Sequence, residues 1–237
     1  MSLSRKKKPL YLQIKSILKD RILHGIYPIG QLIPSEPQLE QEFGVSKITV
    51  RGAIQELVQE GYLEKGSGKG TKVVRNTSAS KLSKGKSFTE VLVENGHTIR
   101  KRLIRAEKIR NEPETEPYRL FGDACFCIER IYDLDGAPYI HYTHYLSVLA
   151  GEIDRSDLDS QSLYGLLEER DIALEQFKDQ FAVAVAPAAV ADKLNVQPST
   201  PLLRRSRRSY EESGNMIEYS VGYYNTEIQS YLVNYDA

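Results

Sequence analysis

Tryptophan is absent from this chain of 237 residues, and cysteine and methionine occur twice each. Two cysteines, Cys125 and Cys127, cannot build a disulfide framework, so any fold must rest on apolar burial. No apolar run approaches the roughly 18–20 residues that span a bilayer. No apolar stretch follows the basic cluster Arg5–Lys8, so no secretory leader is expected. The expectation is a soluble, cytoplasmic protein with no membrane partner. Net charge is missing too: 32 Lys and Arg balance 32 Asp and Glu. Taken whole, neutrality argues against a nucleic-acid binder. The sequence also lacks a nucleophile elbow, a P-loop and a dinucleotide fingerprint, so it offers no common mark of an enzyme and none of a cofactor.

What is present changes that picture. Residues 1–86 hold 16 Lys and Arg against 7 Asp and Glu, and residues 87–237 hold 16 against 25. The neutral total therefore hides a strongly basic part joined to a strongly acidic one, which suggests two parts with different partners. Hydrophobic residues make up 41%, enough for two modest cores.

The basic part reads as three helices and a hairpin. Leu10, Ile14, Ile17, Leu18 and Ile22 recur at helical spacing, and Gly25 is a natural stop. Ser35 and Gln38 have capping-box spacing, with Pro37 in the first turn, where a missing N–H costs little. Leu39 and Phe43 face inward on that second helix. Gly44-Val45-Ser46 then makes a short break before a third helix, which carries Val50, Ile54, Leu57 and Val58 inward and ends at Gly61. Tyr62–Lys65 and Thr71–Val74 predict strands around the flexible tip Gly66–Gly70. Helix-turn-helix followed by a basic hairpin is a winged helix. Ser46, Lys47, Thr49 and Arg51 fall in the first turn and a half of its third helix, the part that enters a major groove. Arg can read guanine through two bonds, and Lys, Ser and Thr can take bases or phosphates. Ser35 and Glu36 open the preceding helix, whose free N–H groups suit a phosphate. Lys69 stands between two glycines at the wing tip. Ser35 and Ser46 would also cap helices in any protein.

Residues 76–86, rich in Ser, Lys and Thr, read as a linker. Beyond it, Phe88, Val91 and Leu92 predict a short helix ending near Gly96. Strands are expected at Thr98–Ile109, Phe126–Leu134, Tyr139–Leu146, Leu174–Val185, Leu202–Tyr210 and Met216–Asn225, and helices at Glu114–Phe121, Leu163–Glu169 and Pro187–Leu194. Asp135-Gly136 and Gly214-Asn215 are hairpin turns. The fold class is α+β in two domains: a winged helix (1–75), a linker (76–86), and a mainly antiparallel sheet with helices (87–237).

Residues 9–75 resemble the GntR-type winged helix. The resemblance runs through Pro9–Ile14, Gly25–Glu36, Phe43–Arg51, Gly61–Leu63 and Gly68–Thr71. It implies that Ser35, Glu36, Ser46, Lys47, Thr49, Arg51 and Gly70 sit at DNA. Lys69 joins them from its place on the wing. Relatives often have Arg after the Ser-Glu pair; Pro37 stands here, so a contact should be missing. Lys47 replaces a common Arg, which favours phosphate over bidentate guanine.

Residues 87–237 resemble the UTRA effector domain of the HutC-type branch, whose fold is similar to chorismate lyase. The matching stretches are Ser87–Glu90, Ile128–Tyr132, Asp135–Pro138, Ser162–Tyr164, Ile217–Ser220 and Tyr223-Tyr224. By that resemblance Ser87, Phe88 and Thr89 cradle a phosphate at a loop-to-helix junction. Arg130 supplies a charged fork, Ser162 and Tyr164 give hydroxyls, and Glu218 accepts bonds near Tyr224. Two departures stand out: Tyr132 replaces an Arg and Tyr142 replaces a Glu common in relatives. The anion site should be kept and the sugar-facing side should differ, so that a phosphorylated sugar, a phosphorylated effector with an aromatic part, or a different sugar would fit.

The resulting expectation is a ligand-responsive regulator, by preference a repressor, binding a two-fold double-stranded operator as a homodimer and released by a small anionic effector such as a sugar phosphate. The alternatives are an activator, a non-sugar effector, and an enzyme with lyase-like chemistry on a DNA-binding arm. No metal site is expected. His141 and His144 should point to opposite faces of a strand, and Cys125 and Cys127 read as two buried small side chains. The run Arg204–Arg208 reads as a solvated or ion-paired sheet edge.

Overall fold

The computed structural model describes residues 9–232 apart from 67, 69, 77–87, 152 and 161, and the chain divides into two units between Ile99 and Arg100. In the first unit, α1 (Leu10–Leu23) buries the stripe Ile14, Ile17, Leu18 and Ile22 that its spacing predicts. The short α2 (Glu36–Phe43) buries Leu39. Its start is fixed by Gln38, whose Oε1 accepts from the Ser35 backbone N–H at 2.8 Å and from Ser35 Oγ at 2.9 Å. Gly44 stops it with φ 62°, a left-handed conformation that glycine adopts without strain. Ser46 then caps α3 (Lys47–Gln59), its Oγ accepting from the Thr49 N–H at 3.4 Å. Val50, Ala53, Ile54 and Leu57 of α3 close onto α1 and Leu39 in one core with Tyr62 and Val73. Burying each Val, Ile or Leu of this set contributes about 1.5–3 kcal/mol.

The wing is the antiparallel hairpin of β1 (Leu63–Gly66) and β2 (Gly70–Val73). Residues 30–33 run along its other side: the Gly30 N–H donates to Val73 O and the Ile33 N–H to Thr71 O, both at 2.9 Å. The wing is thereby held at its base on two sides. The helix α4 (Phe88–Glu94) groups with this unit, and the Ile99 N–H donates to His24 O at 3.0 Å.

The second unit is built on six strands: β3 (Ile99–Arg110), β4 (Ala124–Leu134), β5 (Ala137–Leu146), β6 (Leu174–Val185), β7 (Pro201–Glu211) and β8 (Met216–Tyr224), in the spatial order β3-β4-β5-β8-β7-β6. Asp135 and Gly136 (φ 50° and 91°) turn β4 into β5, as a two-residue hairpin requires. Helices α5 (Glu116–Phe121), α6 (Arg155–Ser160), α7 (Leu163–Glu168) and α8 (Ala188–Leu194) complete it, with a single 3-10 turn at Val148–Ala150. The sequence pattern gave no sign of α6 or of that turn.

Side chains alternate along each strand, so the register sorts them into two faces. Arg130, Tyr142, Gly222 and Arg205 form one row across β4, β5, β8 and β7. Ile128, His144, Ser220 and Arg207 form the next row on the same face. The opposite face holds Cys125 and Cys127, both buried, and His141, which meets Glu129 at 2.6 Å. Val190 and Leu194 of α8 join a small core with Leu202. The two histidines do face opposite ways. The basic run Arg204–Arg208 does not lie at an edge, since β7 sits between β8 and β6; Arg205 and Arg207 pair with Asp179 of β6, Arg208 pairs with Glu116 of α5, and Arg204 is exposed. Its alternating charges are tolerated there because Asp179 and Glu116 meet them.

Candidate nucleic-acid interface and ligand site

The first unit presents its polar residues outward. Lys47 and Arg51 are exposed on α3, with Ser46 at its cap and Thr49 partly covered between them. Ser46 Oγ lies 2.9 Å from Thr49 Oγ1, so the two hydroxyls form one polar patch at the start of the helix. Arg51 reaches across to α2, where its Nη2 donates to Glu36 Oε2 at 2.9 Å and its Nε to Oε1 at 3.4 Å. Lys65 of the wing approaches the same carboxylate at 3.7 Å. The Arg51 hydrogen bond holds the Glu36 carboxyl below its ordinary value, and Glu36 in turn raises Arg51. Glu36 thus steers the Arg51 fork, which remains 52% exposed on its outer side. Ser35, Glu36, Lys65 and Gly70 line one open groove between the start of α2 and the wing. Seven predicted residues are thereby placed in one unit; Lys69 lies outside the described residues. Lys65 was not singled out from sequence, because a lone Lys on a short strand carries no signal.

In the second unit the polar residues are turned inward. Glu218 on β8 is fully buried. His144 Nδ1 lies 2.7 Å from its Oε1, and the Tyr164 hydroxyl donates to Oε2 at 3.1 Å. Ser209 Oγ donates to the same carboxylate. Burial opposes ionisation of Glu218, but the bonds from His144, Ser209 and Ser220 hold its carboxyl below its usual value. Beside this centre the Tyr142 ring stacks on His144 with centroids 5.0 Å apart. The same ring lies against Gly222, where an added Cβ would come within 2.7 Å of it. Tyr142 and Tyr224 share a hydrogen bond between their hydroxyls, and Tyr132 meets Tyr142 edge to face at 5.9 Å. Arg130 is almost fully buried and donates to Leu158 O of α6 at 2.6 Å. Ser162 caps α7, its Oγ accepting from the Gly165 N–H at 2.9 Å.

The structure thus brings Arg130, Tyr132, Tyr142, Glu218 and Tyr224 to one sheet face and packs Tyr164 against it. Thr89 lies in α4 of the first unit, Ser87 lies outside the described residues, and the Phe88 side chain does too. His144, Ser209, Asp179 and Arg205 belong to the same face and were not anticipated. His144 is 74 residues from Glu218 and Arg205 is 26 from Asp179, and Ser209, nine residues from Glu218, meets it only across the β7–β8 pairing, so strand pairing brings them together. No cluster of His, Cys, Asp and Glu able to hold a metal occurs among the described residues.

These two arrangements coincide with two family models. Residues 10–73 match the family described as bacterial regulatory proteins, gntR family, and residues 94–229 match the UTRA domain, which alone spans more than half of the chain. The chain belongs to the GntR family. It is a DNA-binding transcriptional regulator with a UTRA ligand domain, not an enzyme. Among its relatives is the HTH-type transcriptional repressor NagR of Bacillus subtilis, 30% identical over 220 residues that cover 91% of this chain and 90% of that one. Another is a probable fructoselysine utilization operon transcriptional repressor of Escherichia coli, 28% identical over 214 residues, covering 89% and 88%. The crystal structure of PhnF from Mycobacterium smegmatis superimposes with a TM-score of 0.57 at 25% identity, covering 94% of this chain and 99% of that one. No helix of this GntR-family chain, among the described residues, is long and apolar enough to cross a membrane.

Proposed function

We propose that this regulator is a repressor that binds a two-fold operator as a homodimer in the cytoplasm and leaves it when a small anionic effector, such as a phosphorylated sugar, occupies the second unit. Relatives named as repressors, one of them for fructoselysine utilization, support repression and a sugar-derived ligand. In this reading Ser35, Glu36, Ser46, Lys47, Thr49, Arg51, Lys69 and Gly70 contact DNA. Ser87, Phe88, Thr89, Arg130, Tyr132, Tyr142, Ser162, Tyr164, Glu218 and Tyr224 contact the effector. The winged helix spans 1–75, the linker 76–86 and the effector and dimerisation domain 87–237.

The observation that carries the effector half is the buried carboxylate of Glu218, ringed by His144, Tyr164 and Ser209 on a sheet face. A core built for stability alone gains little from a buried carboxylate, because removing a charge from water costs about as much as its partners return. A face that must recognise hydroxyl groups needs such acceptors.

The test uses the full-length protein and a duplex that it selects from a random library. Fluorescence anisotropy then follows its affinity as hexose 6-phosphates are added. Release requires that the ligand prefer the unbound arrangement. The expected result is a loss of affinity of about tenfold or more with at least one hexose phosphate, blunted in Arg130→Gln. Affinity indifferent to every hexose phosphate would refute the effector assignment.

A further inference from the structure

Arg205 is a buried cation on the effector face with a donor left over, its guanidinium lying over the Phe181 ring at 5.9 Å. It lies on β7 in the row Arg130–Tyr142–Gly222–Arg205, and its relative exposure is only 8%. Its Nη2 donates to Asp179 Oδ2 at 2.8 Å. That carboxylate is already held on both oxygens by the fork of Arg207, with Nε to Oδ1 at 2.8 Å and Nη2 to Oδ2 at 2.9 Å. Arg205 Nη1 makes only a long contact of 3.4 Å to the Tyr142 hydroxyl, and Nε has no hydrogen-bond partner among the described residues. One carboxylate thus serves two guanidinium groups, and the more deeply buried one receives the lesser share. A buried guanidinium with unused donors is costly and calls for a further acceptor, and a planar fork suits a carboxylate or phosphate best.

Arg130 stands at the other end of the row. Three inter-strand steps of about 4.8 Å separate the two backbones, about 14 Å in all. The two guanidinium groups are anchored separately, Arg130 to Leu158 O and Arg205 to Asp179 of β6, so each suits an acidic group of its own. Between them lie Tyr142 over Gly222, Tyr224 beside it, and His144, whose buried Nε2 also has no hydrogen-bond partner among the described residues. That middle ground suits hydroxyl groups.

We infer that Arg205 is a second anion subsite, so that the effector carries two acidic groups joined by a hydroxylated chain, one directed toward Arg130 and the other, a carboxylate or phosphate, bound by Arg205. This rests on the effector reading of the face. It adds a cation that the resemblance to relatives did not nominate.

Two probes of equal carbon number separate the possibilities. 6-Phosphogluconate carries a phosphate and a carboxylate; sorbitol 6-phosphate has a hydroxyl in place of the carboxylate. Calorimetric titration of the full-length protein should show 6-phosphogluconate binding about tenfold tighter or more. In Arg205→Gln the two probes should bind alike, while Arg205→Lys, which keeps the charge without the fork, should keep a smaller preference. Cooperative thermal unfolding of both variants checks that they fold; should Arg205→Gln fail to fold, Arg205→Lys decides alone. Equal binding of the two probes by the wild type, or a preference undiminished in the Arg205 variants, overturns the second subsite and leaves a singly anionic effector standing. Binding of neither probe at millimolar concentration overturns the second subsite and counts against the anionic effector itself.

Discussion

The two units of this regulator handle charge in opposite ways. The winged helix keeps Lys47 and Arg51 in water and a core of almost purely apolar residues beneath them. The sheet unit buries Arg130, Arg205, His144 and Glu218 on one face, and keeps aromatic rings among them. The difference follows from the ligands. DNA phosphates are met at a surface, where charge can be left solvated until the partner arrives. A small molecule is met inside, where buried charges are held by protein partners and every donor left over for the ligand costs stability. The first unit should therefore lose function without losing stability, and the second should lose both.

Four expectations sharpen that contrast. The largest concerns Glu218→Ala, which leaves His144, Tyr164 and Ser209 without their shared acceptor; urea unfolding should report a loss of about 3–5 kcal/mol in the sheet unit. A loss under 1 kcal/mol would mean that water substitutes freely for Glu218 and that the face is not dry. Next is Gly222→Ala, whose Cβ would stand 2.7 Å from the Tyr142 ring. Displacing that ring should cost about 1–3 kcal/mol, and Tyr142→Ala in the same chain should relieve the clash. An additive double variant would contradict the packing of Tyr142 on Gly222.

In the winged helix, Arg51→Ala should weaken binding to the selected duplex by about 1–3 kcal/mol while stability moves by less than about 0.5 kcal/mol. If the duplex affinity is unchanged, Arg51 is a solvated ion pair with Glu36 and nothing more. The smallest effect is on pH. Burial pushes His141 below its ordinary 6.5, against the pull of Glu129. Its folded value is therefore lower than its unfolded value, so the unfolded chain takes the proton first and stability falls as pH drops below 6.5. Glu129 and Glu218 are held below 4.5, so a second loss follows beneath that value. The first unit has no fully buried carboxylate among its described residues; Glu36, held below 4.5 by Arg51, and Glu60, held there against its burial by Lys15 and Lys19, give it a smaller loss beneath that value, so its unfolding midpoint should be flatter over the same range. Equal acid sensitivity of the two units would break the comparison.

The winged helix could be read from sequence because its determinants are local. Helical spacing in Leu10–Ile22, the Ser35–Gln38 cap, Gly44 and the Ser46 cap each act within a few residues. The six strands were legible for the same reason, with ends displaced by one or two residues. The polar sheet face was legible only where a familiar motif marked it, as at Arg130 and Glu218. Arg205 was hidden in a run of five residues that holds four arginines and resembles a surface, because alternation sends neighbouring side chains to opposite faces and only the pairing of β7 with β6 and β8 shows which face is buried. The helix α6 was missed because Leu158 is the single apolar residue in Arg155–Ser160, too little for a periodic signal, although Leu158 is 1% exposed.

The central claim is that DNA reading and ligand sensing reside in separate sets of charges. The most direct measurement compares, in one preparation of Arg51→Ala, the affinity for the selected duplex and the thermal shift produced by the hexose phosphate that releases the wild type. Weaker duplex binding with an unaltered ligand-induced shift is the predicted result. A ligand response that collapses together with DNA binding would contradict the separation.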